Sequence, residues 1–476
     1  MLSIIANIIY DFRKINYVGG INNRHAYALF LVFAVIFLIV AFKGLKTAQP
    51  GDENTYYFMG KLISEGKVPY KDFFLAHPPL HVYIVALFYN IFGFNIVILK
   101  LIPLALTFAS AFLVFLIAKE KFGNAAAILS SALFLFSYSI MFDSVFSFGI
   151  EFSIFFIILG TYSLLIENNY IVSGLLFGLA GITRLLSLVP IAVILAYLLF
   201  SDSKKFLKIL SIFLIVFLST NAIFSLMFGG DYLVPVYKFH LLKNPQYKEN
   251  FKEYFEVIKL NWVLFVSAAA FLLVKEKKPI SMFASISLIY LAFMLVLRQF
   301  FAFYITIAFP FLALVGGYSI AKLFQYDMTT KLKIVVAAVF FLAFGWNLLS
   351  DSLFLQSTGF TGFDRGNDLV ELINSKSNKD TLLFGDNSVV PLLALLTNKP
   401  IALDLVDTNN EVFLSGLKNI KAELDNLRGK DILFIVRSRQ GISSFSEVRK
   451  FLNNNCDLLS SFHDRIEGDY LVYRCK

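Results

Sequence analysis

The 476-residue sequence is poor in charged residues, cysteine and tryptophan. Only 16% of its residues are Asp, Glu, Lys or Arg, whereas soluble domains average about 25%. So little charge excludes a disordered chain and a coiled coil, and argues against an ordinary soluble enzyme. Two cysteines are too few for a cysteine metal cluster. The sequence also has no Gly-rich phosphate loop with its lysine and no zinc-protease histidine pair.

Apolar residues dominate the composition, at 58% of the chain, with a mean hydropathy of +0.72. Because about 20 apolar residues cross the hydrocarbon core of a bilayer, the long apolar runs predict about eleven spanning helices. The first run begins near Ala28, after Arg13, Lys14 and Arg24, and predicts a spanning helix with its N-terminus in the cytoplasm. We therefore expect a multi-pass protein of the cell membrane, with residues 1–350 forming an α-helical polytopic membrane module.

The net charge of +9 would suggest nucleic acid if it lay on one soluble face. Instead, lysines occur in short clusters between apolar runs, and the predicted topology puts four clusters on one side. These clusters are Lys119–Lys121, Lys204–Lys208, Lys275–Lys278 and Lys331–Lys333. The positive-inside rule explains this pattern, so we expect no nucleic-acid partner.

Two parts of the membrane module place polar residues near the predicted outer face. Residues 46–80 form the first outer loop, and the apolar run Leu80–Phe92 after it is too short to span, so we expect it at the interface. The run Ile171–Phe200 would be roughly 45 Å long as one helix, too long for one comfortable span. Polar residues around Arg184 predict instead two short helices that meet near the outer side.

From about Asp351 the composition becomes water-soluble and predicts a small extracytoplasmic α/β domain over residues 351–476. Its predicted strands are Thr381–Phe384, Asp431–Val436 and Tyr470–Arg474, and its predicted helices are Asn367–Ser375 and Ser444–Asn453. Cys456 and Cys475 both lie in this domain. They are either one disulfide, if the domain is extracytoplasmic, or two unrelated thiols.

The first outer loop carries the acidic pair Asp52 and Glu53 directly after the first spanning helix. A carboxylate beside the membrane can act as a general base toward a hydroxyl or an amine. Acidic residues also stabilise helix N-termini, so the pair can equally begin the helix that follows. The residues alone leave both interpretations open.

After this acidic pair come the segments EGKVPYKDFF and HPPL. In this order they resemble the first outer loop of the dolichyl-phosphate-mannose–protein mannosyltransferase-like family. That family includes the lipid A aminoarabinose transferase and belongs to the polytopic GT-C glycosyltransferases. The later segments GLAGITRLLSLVP and RQFFAFYITIAFPFLALVGGY extend the resemblance over most of residues 28–318. The C-terminal outer domain is similar in placement to that of the aminoarabinose transferase.

The resemblance implies an enzyme that passes a sugar from a polyprenyl-phosphate carrier to an acceptor on the outer face. It implies that Asp52 is the essential acid of the first loop and the base, with Glu53 beside it in helix capping or substrate contact. The family commonly has a second acid between the third and fourth spanning helices. Here Asp143 and Glu151 lie in that loop, and the segment FGIEFSIFF favours Glu151, with a helix cap as the alternative.

Two histidines take positions that are functional in the aminoarabinose transferase. His77 stands where that enzyme has a lysine near the lipid phosphate, so it would contact phosphate or have a structural role beside Pro78 and Pro79. His240 stands where that enzyme has a metal-associated histidine and is the candidate ligand of a divalent metal. No second ligand is spaced beside His240, so the sequence implies no certain cofactor.

Arg184 and Arg298 lie within the membrane or at its edge, where a cation usually faces a polar cavity or a partner. A lipid-borne phosphate is a natural counter-charge for a guanidinium. A salt bridge or interfacial snorkelling is the alternative for each arginine. Tyr304 matches a polar aromatic position of the family, which implies a contact with phosphate or sugar.

The sequence therefore predicts an inverting membrane glycosyltransferase with Asp52 as base and the donor phosphate near Arg298, Arg184 and His77. Its partners would be membrane lipid, a polyprenyl-phosphate sugar donor and a glycan, lipid or protein acceptor. A transporter or flippase of lipid-linked sugars would use the same charges, and a non-catalytic family member is a third interpretation. The gathering of the polar residues on one side favours catalysis.

Overall fold

The computed structural model describes residues 22–275, 280–326, 330–360, 362–465 and 468–476. The predicted cytoplasmic charges Arg13 and Lys14, and Lys277 and Lys278 of one lysine cluster, lie outside these residues. The described chain is a bundle of apolar helices followed by a small domain that contains the β-sheet. This arrangement confirms the predicted helical architecture and the predicted C-terminal α/β domain.

Helices make up most of the described membrane module. In chain order they are α1 (Asn23–Lys46), α2 (Asp52–Ser64), α3 (Leu80–Phe92), α4 (Ile96–Phe122), α5 (Asn124–Leu135), α6 (Tyr138–Asp143), α7 (Ile150–Leu165), α8 (Tyr170–Gly181), α9 (Leu188–Ser201), α10 (Ser203–Phe228), α11 (Gly230–Leu233), α12 (Phe239–Leu242), α13 (Tyr247–Leu260), α14 (Trp262–Ala269), α15 (Ser281–Leu295), α16 (Phe309–Leu323) and α17 (Thr330–Phe354). A 3₁₀ segment, Ala302–Ala308, leads directly into α16.

Five helical segments of the described chain are long and apolar enough to cross a bilayer, and a bent pair of helices, α13 with α14, would make a sixth. Six further apolar helices have 10–17 residues. The chain is therefore a multi-pass membrane protein. The number of about eleven spanning helices stays a prediction, because several of these helices are short.

Two sequence-based expectations about the membrane module are confirmed. Helix α3 has the predicted bounds, Leu80–Phe92. The apolar run from residue 171 to 200 is interrupted as predicted, because α8 ends at Gly181, α9 begins at Leu188, and Arg184 lies between them in extended conformation. Gly178 lets α8 approach α10 closely, since a Cβ there would lie 2.6 Å from the Cβ of Val216.

The C-terminal domain contains one four-stranded sheet of order β1-β2-β4-β3. Its strands are β1 (Leu382–Gly385), β2 (Ile432–Arg437), β3 (Cys456–Asp464) and β4 (Gly468–Cys475), and its helices are α18 (Gly366–Lys376), α19 (Val390–Thr397), α20 (Asn410–Leu414), α21 (Ile420–Leu427) and α22 (Ser446–Asn455). Strands β1 and β2 are parallel, and the other pairs are antiparallel.

The sequence missed strand β3 because most of its residues are half-buried or exposed at the sheet edge, which leaves a weak apolar pattern. It also missed the short helices α19, α20 and α21. The last membrane-module helix, α17, ends at Phe354, slightly beyond residue 350. The division into residues 1–350 and 351–476 stays a prediction.

Helix α2 of the first outer loop lies between the membrane module and the C-terminal domain. Tyr57 of α2, Tyr70 of the same loop, Val85 of α3 and Leu393 of α19 belong to one buried apolar cluster. Because this cluster draws on both parts of the chain, the domain and the loop cannot separate without exposing it to water.

Main-chain hydrogen bonding fixes the start of α2 against the same domain. The Gly51 N–H donates to the Ser388 carbonyl oxygen over 2.9 Å, and the Thr55 hydroxyl donates to the Asn387 carbonyl over 3.3 Å. Lys61 at the other end of α2 donates to the Asn398 side chain. Hydrogen bonds at both ends of α2 thus fix the position of Asp52 relative to the C-terminal domain.

A buried lysine lies beneath the start of α2. The Lys100 side chain is fully buried in α4 and donates to the carbonyl oxygens of Gly44 and Thr47, at 3.1 and 2.7 Å, where α1 ends. Its ammonium is near enough to the Glu53 carboxylate for the two charges to attract. Lys100 therefore donates hydrogen bonds to carbonyl oxygens at the end of α1. Its positive charge also balances the buried carboxylate of Glu53 in α2.

The C-terminal domain also contains a disulfide between Cys456 and Cys475. The two residues are direct partners across β3 and β4, with 4.1 Å between their Cα atoms. Of the two alternatives that the sequence left open, the structure shows the disulfide. It closes the loop that carries strands β3 and β4.

We expect replacement of both cysteines by serine to destabilise the domain by about 3 kcal/mol, because the bond closes a short loop, of sequence separation 19, in the unfolded chain. Thermal unfolding of the purified protein should show a lower midpoint for the double variant. Reductant should lower the midpoint of the wild type and leave that of the variant unchanged. Alkylation of both cysteines in unreduced, unfolded protein would contradict the bond.

We expect Lys100→Met to destabilise the protein by about 1.5–3 kcal/mol, because the carbonyl oxygens of Gly44 and Thr47 lose a charged donor and Glu53 loses a nearby positive charge. The double variant Glu53→Gln/Lys100→Met should be more stable than the single Lys100→Met variant. Lys121→Met, an exposed position of the same helix, is the matched control and should change the melting temperature little. Equal melting temperatures of the Lys100→Met and control variants would argue against the pairing.

Candidate active site

A solvent-open cleft lies where the first outer loop, the break between α8 and α9, the segment around α12 and the C-terminal domain meet. Its empty volume is about 670 Å³. Polar side chains from these four parts and from the 3₁₀ segment before α16 line it: Asp52, Thr55, Tyr56, His77, Arg184, His240, Lys243, Tyr304, Asn387, Asp407 and Asn409. The structure therefore brings together Asp52, His77, Arg184, Tyr304 and His240 of the residues that the sequence singled out.

Asp52 is the first residue of α2 and lines the cleft. Burial raises the pKa of its carboxyl group above the usual value, while the positive charges of Arg184 and Lys243 lower it. A raised pKa makes the carboxylate a stronger base nearer neutral pH. Both interpretations from the sequence are compatible with this geometry, since Asp52 begins a helix and also faces the cleft.

Arg184 is buried in the break between α8 and α9, with 3% of its surface exposed. Its guanidinium donates to the Tyr56 hydroxyl over 3.0 Å and to the Phe148 carbonyl oxygen. Both of these partners are uncharged, and the Nε–H has no hydrogen-bond partner among the described residues. A buried cation with only uncharged hydrogen-bond partners offers a positive charge to an anion that enters the cleft.

Lys243, just after α12, is the second cation of the cleft, and the sequence analysis missed it. Its ammonium lies over the rings of Phe239 and Phe301, at 5.0 and 5.5 Å from their centroids. Burial lowers the pKa of this ammonium, and the carboxylates of Asp407, Glu411 and Asp52 raise it. Lys243 follows His240 by three residues in the sequence, and residues three apart lie on the same face of a helix. This spacing could have indicated that Lys243 lies near His240.

Arg298 has a different place from the one expected. It is exposed, does not line the cleft, and donates through Nη1 to the carbonyl oxygen of Lys243 over 3.1 Å. Through this hydrogen bond Arg298 fixes the backbone of Lys243, which is the cation that lines the cleft.

The two predicted histidines lie side by side. The rings of His77 and His240 stack with 5.4 Å between their centroids. Burial, followed by the charge of Arg184, lowers the pKa of His77 well below its usual value. Burial and the charge of Lys243 lower the pKa of His240 to about 4. Both rings are therefore neutral near pH 7, so His77 could meet a phosphate only as an uncharged donor.

These histidines do not fit a metal site. The Nε2–H of His240 donates to the Ala76 carbonyl over 2.9 Å, which occupies one of its two ring nitrogens. Among the described residues, no group of three or more His, Cys, Asp or Glu side chains could hold a metal ion. We therefore assign no chemistry to a metal.

Tyr304 lines the cleft at the start of the 3₁₀ segment before α16, where the Tyr290 hydroxyl donates to its carbonyl oxygen over 2.8 Å. Its ring packs edge-on against Phe301 and Phe303, at 5.4 and 4.9 Å. The sequence placed Tyr304 in the site by resemblance, and the structure puts it on the same wall as Lys243.

The other two predicted acids do not line the cleft. Glu53 is buried beneath Asp52, and burial raises its pKa to about 7, against the opposing charge of Lys100. Glu151, in the first turn of α7, lines a separate small cavity with Asp143 and Thr306. Their expected roles in substrate contact stay predictions.

The C-terminal domain contributes Asn387, Asp407 and Asn409 to the cleft. Burial raises the pKa of Asp407 to about 6, with a further rise from the charge of Asp52. The sequence offered no signal for these residues. Only the docking of the domain on α2 brings them within reach of Asp52.

Comparisons with known proteins agree with this architecture. Residues 76–227 match the model of the family described as dolichyl-phosphate-mannose-protein mannosyltransferase. The fold is similar to that of ArnT from Cupriavidus metallidurans bound to undecaprenyl phosphate, with a TM-score of 0.66 and 13% identity over 93% of this chain and 97% of ArnT. A search of curated protein sequences finds no match.

A second structural neighbour is the arabinofuranosyltransferase AftD from Mycobacteria, with a TM-score of 0.52 and 12% identity. The match covers 96% of this chain and 40% of AftD. ArnT and AftD are both GT-C glycosyltransferases. The family match in the membrane module and the fold shared over nearly the whole chain confirm the predicted resemblance to the mannosyltransferase-like, ArnT-like GT-C family.

Proposed function

We propose that this protein is a membrane glycosyltransferase that moves a sugar from a polyprenyl-phosphate donor to an acceptor bound in the cleft. One observation carries the proposal: Asp52 shares the cleft with the buried cation Arg184, whose Nε–H has no partner among the described residues. A base beside a buried guanidinium that is hydrogen-bonded only to uncharged oxygens suits a reaction that deprotonates a nucleophile and releases a phosphate. The structure of ArnT bound to undecaprenyl phosphate supports the lipid carrier.

The proposed reaction gives each of these residues a role. Asp52 takes the proton of the acceptor group as its oxygen or nitrogen forms a bond to the anomeric carbon of the sugar. The bond from that carbon to the phosphate oxygen breaks, and polyprenyl phosphate leaves with the electron pair. Arg184 stabilises the charge on this leaving group, with Lys243 as the second cation of the cleft. A single displacement inverts the anomeric configuration.

We infer that the cleft opens on the extracytoplasmic side. Lys100 near the start of α4 lies at the cleft end of the bundle, and Lys119 and Lys121 lie nineteen and more residues further along the same helix. At 1.5 Å per residue this separates them from the cleft end by about 28 Å or more, close to the thickness of the hydrocarbon core. The positive-inside rule then assigns the lysine end to the cytoplasm. The disulfide supports an oxidising compartment for the C-terminal domain.

We expect Asp52→Asn to lower kcat for sugar transfer by about 10²–10⁴-fold, because the variant lacks the base. Binding of undecaprenyl phosphate should not weaken, since a negative charge has been removed near the phosphate. Transfer from a radiolabelled polyprenyl-phosphate sugar and native mass spectrometry with undecaprenyl phosphate measure the two effects. Transfer at the wild-type rate would remove Asp52 from the mechanism.

We expect Arg184→Gln to weaken binding of undecaprenyl phosphate by about 10–100-fold, because a charge-assisted hydrogen bond is lost. Arg184→Lys should bind with intermediate affinity, since an ammonium keeps the charge but lacks the planar fork. Arg24→Gln, at an exposed position of α1, is the matched control and should bind normally. Unchanged affinity of the Gln variant would contradict the assignment.

The second candidate function, a flippase for lipid-linked sugars, is tested in lipid vesicles that contain the purified protein. Fluorescent polyprenyl-phosphate lipid that crosses the bilayer without any sugar transfer would favour it. The cleft arrangement favours the transferase, because Asp52 and Arg184 line one cleft at one end of the bundle.

A further inference from the structure

The C-terminal domain forms one wall of the cleft with three polar side chains. Asn387 follows β1, and Asp407 and Asn409 lie in the loop before α20. Strands β1 and β2 are parallel, and Asn387 lies just beyond the carboxyl end of β1, where α/β domains commonly bind ligands.

The hydrogen bonds of this wall leave polar atoms available to a ligand. Asp407 accepts the Asn409 N–H through Oδ1 over 3.0 Å, and Asn409 accepts the Glu411 N–H through its own Oδ1 over 3.0 Å. The second carboxylate oxygen of Asp407, the amide nitrogen of Asn409 and the carboxamide of Asn387 have no hydrogen-bond partner among the described residues. The wall thus offers both acceptors and donors.

The wall lies beside the base Asp52. Asp407 is near enough to Asp52 and Lys243 for their charges to interact. Arg184 lies instead at the break between α8 and α9, where it contacts Tyr56 and Phe148. Because Asp407 lies near the base Asp52, a nucleophile that gives its proton to Asp52 lies within reach of the wall.

The chemistry of the wall suits a neutral polyhydroxylated ligand. Each sugar hydroxyl donates one hydrogen bond and accepts others, and a carboxylate with carboxamides satisfies both needs. Two carboxylates, Asp52 and Asp407, disfavour an acceptor that brings its own negative charge. An apolar acceptor would leave the polar atoms of the wall without partners when it displaced water.

We propose that Asn387, Asp407 and Asn409 bind hydroxyl groups of a carbohydrate and that this carbohydrate is the acceptor of the transferred sugar. The second part rests on the proposed function; the binding of sugar hydroxyls does not. The C-terminal domain then selects the acceptor, while the membrane module binds the lipid carrier.

The first test measures binding without catalysis. Saturation-transfer NMR on the full chain in lipid nanodiscs, with methyl α-mannoside, methyl α-glucoside and methyl α-galactoside as probes, should show binding of at least one glycoside. Asp407→Asn and Asn409→Ala should each weaken this binding at least tenfold. Asp380→Asn, at an exposed position of the same domain, is the matched control. Absence of binding in the wild type, or equal binding in all variants, would overturn the site.

The second test distinguishes binding of the acceptor from binding of the donor by measuring the steady-state kinetics of sugar transfer. Asp407→Asn and Asn409→Ala should raise KM for the bound glycoside at least tenfold and leave KM for the lipid donor unchanged. A rise in the donor KM alone would show that the wall binds the donor sugar and would overturn the acceptor assignment. Retained binding of undecaprenyl phosphate by each variant shows that the protein is folded. Asn387→Ala provides a third variant if one of these fails to fold.

A pH profile tests the placement of Asp407 beside Asp52. Removal of the negative charge in Asp407→Asn stabilises the ionised form of Asp52 and lowers its pKa, so the acidic limb of kcat/KM should move to lower pH. A purely structural role would not move this limb, and Asp380→Asn should leave it in place. If the wild type transfers no sugar to any acceptor while the glycosides still bind at Asp407, the proposed function fails and the binding site stands.

Discussion

The docking of helix α2 between the membrane module and the C-terminal domain is the constraint on which the cleft depends. Gly51, the residue directly before Asp52, donates a hydrogen bond from its N–H to the Ser388 carbonyl oxygen. The apolar cluster around Tyr57 packs α2 against both the membrane module and the C-terminal domain. One side of α2 therefore faces the bundle and the other faces the domain. The base and the polar wall of the domain keep their relative position for this reason.

Buried positive charge is the second physical theme of the structure. Lys100 is compensated within the protein by two carbonyl oxygens and by Glu53, so it stabilises the fold. Arg184 is bonded only to uncharged oxygens and keeps one N–H without a partner in the described chain. The two cations lie at the same end of one bundle but differ in their partners. Of the two, Arg184 is the one whose positive charge an anionic ligand would pair with.

The separation of roles between the two parts of the chain follows from where each charge lies. The membrane module supplies Asp52, Arg184 and Lys243, which suit a lipid-borne phosphate and a proton transfer. The C-terminal domain supplies neutral amides and Asp407, which suit hydroxyl groups. In this arrangement, changes in the loops that follow β1 and precede α20 would alter the choice of acceptor and leave the lipid site intact.

Composition and periodicity determined the helical membrane module, helix α3, the interruption at Arg184 and the α/β character of the C-terminal domain, because these depend on neighbouring residues. Resemblance in the first loop pointed to Asp52 as well. Tertiary structure decided that Lys243 and Asp407 line the cleft, and that Arg298 contacts the Lys243 carbonyl oxygen without lining the cleft itself. It also turned Glu53 and Glu151 away from the cleft. Contacts between segments far apart in the chain leave no trace in local sequence pattern, so only the folded structure brings such residues together.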